Sequence, residues 1–170
     1  MAKMKDDWAQ LAYIAVTESA ANTLTFGSIS VFSNILTPKA MVLHRVSYNM
    51  PTGTNDLLTA AGDALYFGLG GDDSIATIAM DDPKVYDYNI LSVDHIGTAA
   101  SGAVRESPIV VDWTALPGGG KLVPADRLYI YCQGENLGDV STIQARIEFT
   151  LVDLNAQQYI ELAQSLRILT

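Results

Sequence analysis

Two histidines, His44 and His95, one cysteine, Cys132, and two adjacent aspartate pairs, Asp72-Asp73 and Asp81-Asp82, carry side chains able to bind a metal or catalyse a reaction. A metal site of the kind found in β-sandwich enzymes needs several His and carboxylate ligands converging from neighbouring strands. Neither histidine belongs to a His-x-His pair, and His44 beside Arg45 reads as a structural or surface histidine. The aspartate pairs offer oxygens that suit calcium, yet neither follows EF-hand spacing, and adjacent aspartates near glycine are ordinary turn formers. A glycosidase carboxylate pair is diagnosed by its separation in space, and nothing in the chain singles out two such residues. The run Gly118-Gly119-Gly120-Lys121 hints at a phosphate loop, but Ala115 stands where the first glycine belongs and Leu122 follows the lysine. Cys132 lies in a strongly β-forming run and reads as a small core residue unless a base stands beside it. No Gly-x-Ser-x-Gly elbow and no Asn-x-Ser/Thr acceptor occurs. These readings give no catalytic residue, no cofactor and no metal ligand, and they predict a protein that is not an enzyme.

Four tyrosines, Tyr86, Tyr88, Tyr129 and Tyr131, alternate along β-like runs. They read either as core and interface packing or as an exposed stacking platform for a glycan or a base.

The elements that must position these residues are mostly strands. Short apolar runs separated by turn residues occupy Leu11 to Thr17, Thr23 to Val31, Lys39 to Met50, Ala64 to Gly70, Val85 to Val93, Pro108 to Trp113, Arg127 to Gln133 and Thr142 to Leu154. In the last of these, Ile143, Ala145, Ile147, Phe149 and Leu151 alternate with Gln144, Arg146, Glu148 and Thr150, which predicts one buried and one open face. Asn155 followed by Gln158 resembles a capping box, and Tyr159, Leu162, Ala163, Leu166 and Leu169 recur at helical spacing. A terminal helix is expected from Ala156 to Ile168, and a weaker one from Asp72 to Met80. Many strands and one terminal helix in 170 residues predict an all-β sandwich or jelly roll.

Composition narrows the partners. Lys and Arg number 10 against 19 Asp and Glu, a net charge of -9, and the basic residues are dispersed. Clustered cations for phosphate neutralisation are missing, so no direct nucleic-acid arm is expected. The start of the chain carries Lys3 and Lys5, then Asp6 and Asp7, without the apolar run of a secretory signal. No apolar stretch is long enough for a transmembrane segment. Only 17% of residues are charged, against a typical ~25%. Either the surface is polar and uncharged, or much of it is covered by other subunits.

The order of these elements resembles the single jelly-roll capsid proteins of small icosahedral viruses, single-stranded DNA and archaeal-virus-like ones included. The resemblance rests on Lys121-Leu-Val-Pro-Ala-Asp-Arg-Leu-Tyr-Ile-Tyr131 as a penultimate strand and Arg146-Ile-Glu-Phe-Thr150 as the last. Asn155 to Leu169 resembles a closing helix, and Leu43 to Tyr48 and Gly62 to Gly68 resemble earlier strands. It implies one jelly-roll domain over residues 1–170, with a short N-terminal segment at 1–8 and a C-terminal helix within 155–169. It further implies a structural capsid protein of the virion that self-assembles into an icosahedral shell. Its partners would be copies of itself, with a second capsid protein as a further candidate. Tyr159, Leu162 and Leu166 are the expected subunit-interface residues, although the same stripe would equally cover an end of its own sandwich. The alternative reading is a carbohydrate-binding or adhesion β-sandwich module.

Overall fold

The computed structural model describes residues 9–29, 39–51, 54, 58–93, 108–124 and 128–165. Among the described residues nine strands and a C-terminal helix follow in order: β1 (Gln10–Thr17), β2 (Thr25–Ser28), β3 (Lys39–Asn49), β4 (Ala64–Gly70), β5 (Asn89–Ser92), β6 (Ile109–Asp112), β7 (Lys121–Pro124), β8 (Tyr129–Glu135), β9 (Thr142–Asp153) and α1 (Ala156–Ser165). One sheet runs β1-β9-β3-β6, with β7 pairing further along the same edge of β3; the other runs β2-β8-β4-β5. All pairings are antiparallel. The chain changes sheet at six of the eight connections between these strands, which is the path of a jelly-roll β-sandwich.

Alternation decides what faces inward. Ile143, Ala145, Ile147, Phe149 and Leu151 of β9 are all buried, as their spacing predicts, and so are Leu65, Phe67 and Leu69 of β4. They meet Met41, Leu43, Val46 and Tyr48 of β3 and Ile130 and Cys132 of β8 in one core between the sheets. In β3 the inward residues step from Leu43 to Val46, three positions rather than two. The extra residue is a β-bulge between Leu43 and Arg45, and it falls where β6 gives way to β7 along the neighbouring edge.

Several sequence expectations change. The run Lys121 to Tyr131 is not one strand. β7 pairs with β3 in the first sheet, ending at Pro124, which lacks a donor for further pairing, and β8 belongs to the second sheet. Asp72 to Met80 is not helical. Asp72 Oδ1 accepts the Ser74 N–H at 2.8 Å and Asp82 Oδ1 accepts that of Lys84 at 2.8 Å, local bonds that compete with a helical ladder. Ile75 nevertheless reaches a satellite core with Val85 and Tyr131. The strand expected at Val85 to Val93 shrinks to β5, because the Leu69 carbonyl accepts both the Tyr86 and Asp87 N–H groups and the alternation is lost there. The capping box is real: Asn155 Oδ1 accepts the Gln158 N–H at 2.8 Å, and Gln158 Oε1 accepts the Asn155 N–H at 3.1 Å. Lys3, Lys5, His95 and Leu166 lie outside the described residues, as does the side chain of Tyr159.

Candidate interaction surface

The outer face of the first sheet brings together side chains from four strands. Opposite one another across it lie Leu11, Glu148, Arg45 and Asp112, and in the next row Tyr13, Arg146, Ser47 and Val110. The four charges pair among themselves. Arg45 places Nη2 at 2.8 Å and Nε at 3.1 Å from Asp112 Oδ2, with Nη1 3.7 Å from Glu148, while Arg146 reaches Glu148 at 3.0 Å. The Asp112 carboxylate also accepts the Thr114 hydroxyl and backbone N–H, and its pKa falls to about 2, with those Thr114 bonds first and Arg45 after them. Around this neutral patch stand Tyr13, 70% exposed, Leu11, 51%, and Val110, 49%. A shallow hollow of about 540 Å³ lies in the same face between Tyr13, Ser47, Asn49, Gln144 and Arg146. The face thus combines internally paired charges with exposed large apolar groups.

β1 forms one edge of this sheet. Its eight residues, Gln-Leu-Ala-Tyr-Ile-Ala-Val-Thr, include neither charge nor proline, and its register with β9 runs without a bulge. Among the described residues, the charges, prolines and bulges that discourage pairing with another chain are therefore missing from this strand. α1 leaves Ile160 54% exposed, while Leu162 is half-buried.

Behind these surfaces are two buried polar clusters that sequence reasoning missed. Glu18 is 4% exposed and is held by four donors: Thr23 N–H and Gly134 N–H on Oε1, Ser141 N–H and Ser141 hydroxyl on Oε2, all at 2.7–2.9 Å. Since the Ser141 hydroxyl donates to Glu18, the Cys132 thiol donates to Ser141 Oγ, 3.1 Å away. Burial pushes that thiol up to about 12, so Cys132 is a core residue and no nucleophile.

The second cluster ties the sheets together. Tyr48 of β3 donates its hydroxyl to Asp87 Oδ2 at 2.7 Å, Asn89 donates to the same oxygen at 2.8 Å, and Tyr131 donates to the Asp87 carbonyl at 2.5 Å. Lys121 of β7 crosses to the Tyr86 carbonyl at 2.7 Å and lies over the Tyr86 ring. Burial raises the Asp87 carboxyl above its usual range and lowers the Lys121 ammonium below its own.

The candidate residues of the sequence reading are thus dispersed. Tyr86 and Tyr131 are buried, so the four alternating tyrosines do not form one exposed platform. His44, at the bulge, is half-buried with Nδ1 2.8 Å from the Gly119 carbonyl and Nε2 3.1 Å from Thr150 Oγ1, and it fastens the β6–β7 connection to the sheet. Among the described residues no three His, Cys, Asp or Glu side chains gather where a metal would sit. No described helix is long and apolar enough to cross a membrane. The step of three between Leu43 and Val46 was the sequence signal for the bulge; Glu18 and Asp87 carried none.

No protein-family model matches the chain, and no curated protein sequence does. Solved structures do share its fold. VP1 of trichodysplasia spinulosa-associated polyomavirus is 10% identical with a TM-score of 0.55, covering 91% of this chain and 98% of its own. Merkel cell polyomavirus VP1, solved in complex with GD1a oligosaccharide, is 9% identical with the same TM-score, covering 91% and 98%. At such identities the likeness is one of fold, and it extends over nearly the whole of both chains.

Proposed function

We propose that this chain is a viral capsid protein, resident in the virion, whose copies assemble into an icosahedral shell. One observation carries the reading: the jelly-roll path matches that of viral capsid subunits over nine-tenths of this chain and nearly all of theirs. The neutral, apolar-flanked outer face of the first sheet and the uncharged, bulge-free β1 edge support it, because both suit contact between copies. Tyr159, Leu162 and Leu166 of the C-terminal segment contribute a further contact. The role is packing rather than chemistry, and the protein acts without a cofactor. Its partners are other copies, with a second capsid protein joining them where the shell requires one.

The experiment is direct. Purified chain is followed by size-exclusion chromatography with light scattering and by negative-stain electron microscopy across a range of salt. Closed particles or discrete ring-like oligomers are expected. A chain that stays monomeric up to its solubility limit at every salt concentration overturns the proposal.

A further inference from the structure

The outer face of the second sheet carries a concave site of a different character. Ile75, Ile78, Val85 and Tyr88 of the segment after β4 pack there with Tyr131, Leu24 and Phe26, and beside them lies a hollow of about 580 Å³. Tyr66 and Gln133, direct partners across β4 and β8, form its floor. Thr77, Ile78 and Tyr88 from the segment after β4 form one wall, and Asn22, Glu135 and Asn136 form the rim. The Tyr66 and Tyr88 rings lie 6.2 Å apart and are inclined at 49°, an open V rather than a closed stack. Tyr66 donates its hydroxyl to Glu135 at 2.6 Å, which fixes both side chains. The two asparagines are equally fixed: Asn22 exchanges bonds with the Leu137 backbone at 2.8 and 3.0 Å, and Asn136 donates to the Gly62 carbonyl at 2.9 Å. The Gln133 amide and the Thr77 and Tyr88 hydroxyls, by contrast, carry no hydrogen bond among the described residues.

From this geometry we infer that the hollow binds an uncharged saccharide of one or two rings. A pyranose presents an apolar C–H patch on one face and hydroxyls around its perimeter. The tyrosine V matches the patch, and the ring of amide, hydroxyl and carboxylate groups matches the hydroxyls, each of which can both donate and accept. The volume lies within the range of small-molecule sites. Glu135 is the single charged group in the lining and the whole chain carries a net charge of -9, so sialylated, sulfated or phosphorylated ligands are repelled. The fixed side chains reduce the ordering cost of binding. The inference stands whether or not the chain assembles, since it draws on one sheet face of a single copy.

The test is saturation-transfer NMR on the full chain with lactose, maltose and N,N′-diacetylchitobiose, with sialyllactose as the anionic counterpart. At least one neutral sugar is expected to receive saturation with a Kd of about 1 mM, the range of a small shallow site. Gln133→Ala and Thr77→Val are expected to weaken that binding roughly fivefold each through a lost hydrogen bond, with the unfolding midpoint unchanged. Glu135→Gln is expected to bring sialyllactose up towards the neutral sugars. Absence of transfer to all three neutral sugars, equal binding of sialyllactose by the unsubstituted chain, or binding indifferent to both Gln133→Ala and Thr77→Val would each overturn the inference.

Discussion

Glu18 shows how this chain accommodates a buried negative charge: four donors from three separate segments converge on its carboxylate. A carboxylate only accepts, so the match is complete, whereas an amide would turn its NH₂ group towards N–H donors. Glu18→Gln is therefore expected to destabilise the fold by about 2–3 kcal/mol in urea unfolding, and Glu18→Ala by at least as much, because buried donors are left unpaired. Asp87 has the opposite balance, since burial outweighs its hydrogen bonds and its carboxyl is raised. The native state then holds the Asp87 proton more tightly than the unfolded chain does. Stability from this group is full below the ordinary carboxylate range and falls as pH rises through the raised value. Asp87→Asn keeps an oxygen for Tyr48 and Asn89 and removes the ionisation. The melting temperature of the variant relative to wild type should climb as pH increases from 4 to 8; a falling difference would count against the assignment.

At the scale of elements, the sheets are held in register by backbone geometry as much as by apolar burial. Gly68 of β4 lies beneath the Asp87 backbone, and a Cβ there would collide with the Asp87 carbonyl and the Tyr131 hydroxyl. Neither neighbour can yield freely, since Tyr131 is fully buried and bonded to that same carbonyl. Gly68→Ala should cost about 2–3 kcal/mol in an unfolding titration, an overpacking penalty. It should also lift residues 72–88 from the sheet, read as faster amide hydrogen exchange in that segment than in β9. The β3 bulge belongs to the same scale. By shifting the inward parity at His44 it lets one long strand serve two short partners, β6 and β7, whose connection His44 then anchors through Gly119.

For the whole molecule, the question is how a chain with few charges stays ordered and what its surface meets. The outer face of the first sheet neutralises its own four charges and exposes Tyr13, Leu11 and Val110. If copies meet there, as proposed, Tyr13→Lys combined with Val110→Lys should move the population from particles to free subunits in light scattering. The unfolding free energy of the isolated subunit should change by less than about 0.5 kcal/mol, as for ordinary surface substitutions. Retained assembly in that double variant would exclude this face and leave the β1 edge and the C-terminal contact as the routes.

Local patterning is enough to tell which residues turn inward where a strand is regular, as in β4 and β9, and where α1 begins, because a period of two and a capping box are properties of neighbouring residues. It also excluded the common catalytic motifs, since these are defined by spacing along the chain. Tertiary structure decided the rest. Glu18 finds three of its four donors 116 and 123 positions away, Tyr48 finds Asp87 39 positions away, and the hollow on the second sheet joins β8 to residues of the segment between β4 and β5. Contacts across such separations are set by which strands pair, and they leave no periodic trace in the residues that make them. The same holds for Lys121 to Tyr131, a continuous β-like run that the sandwich divides between its two sheets, because its ends pair with partners on opposite layers.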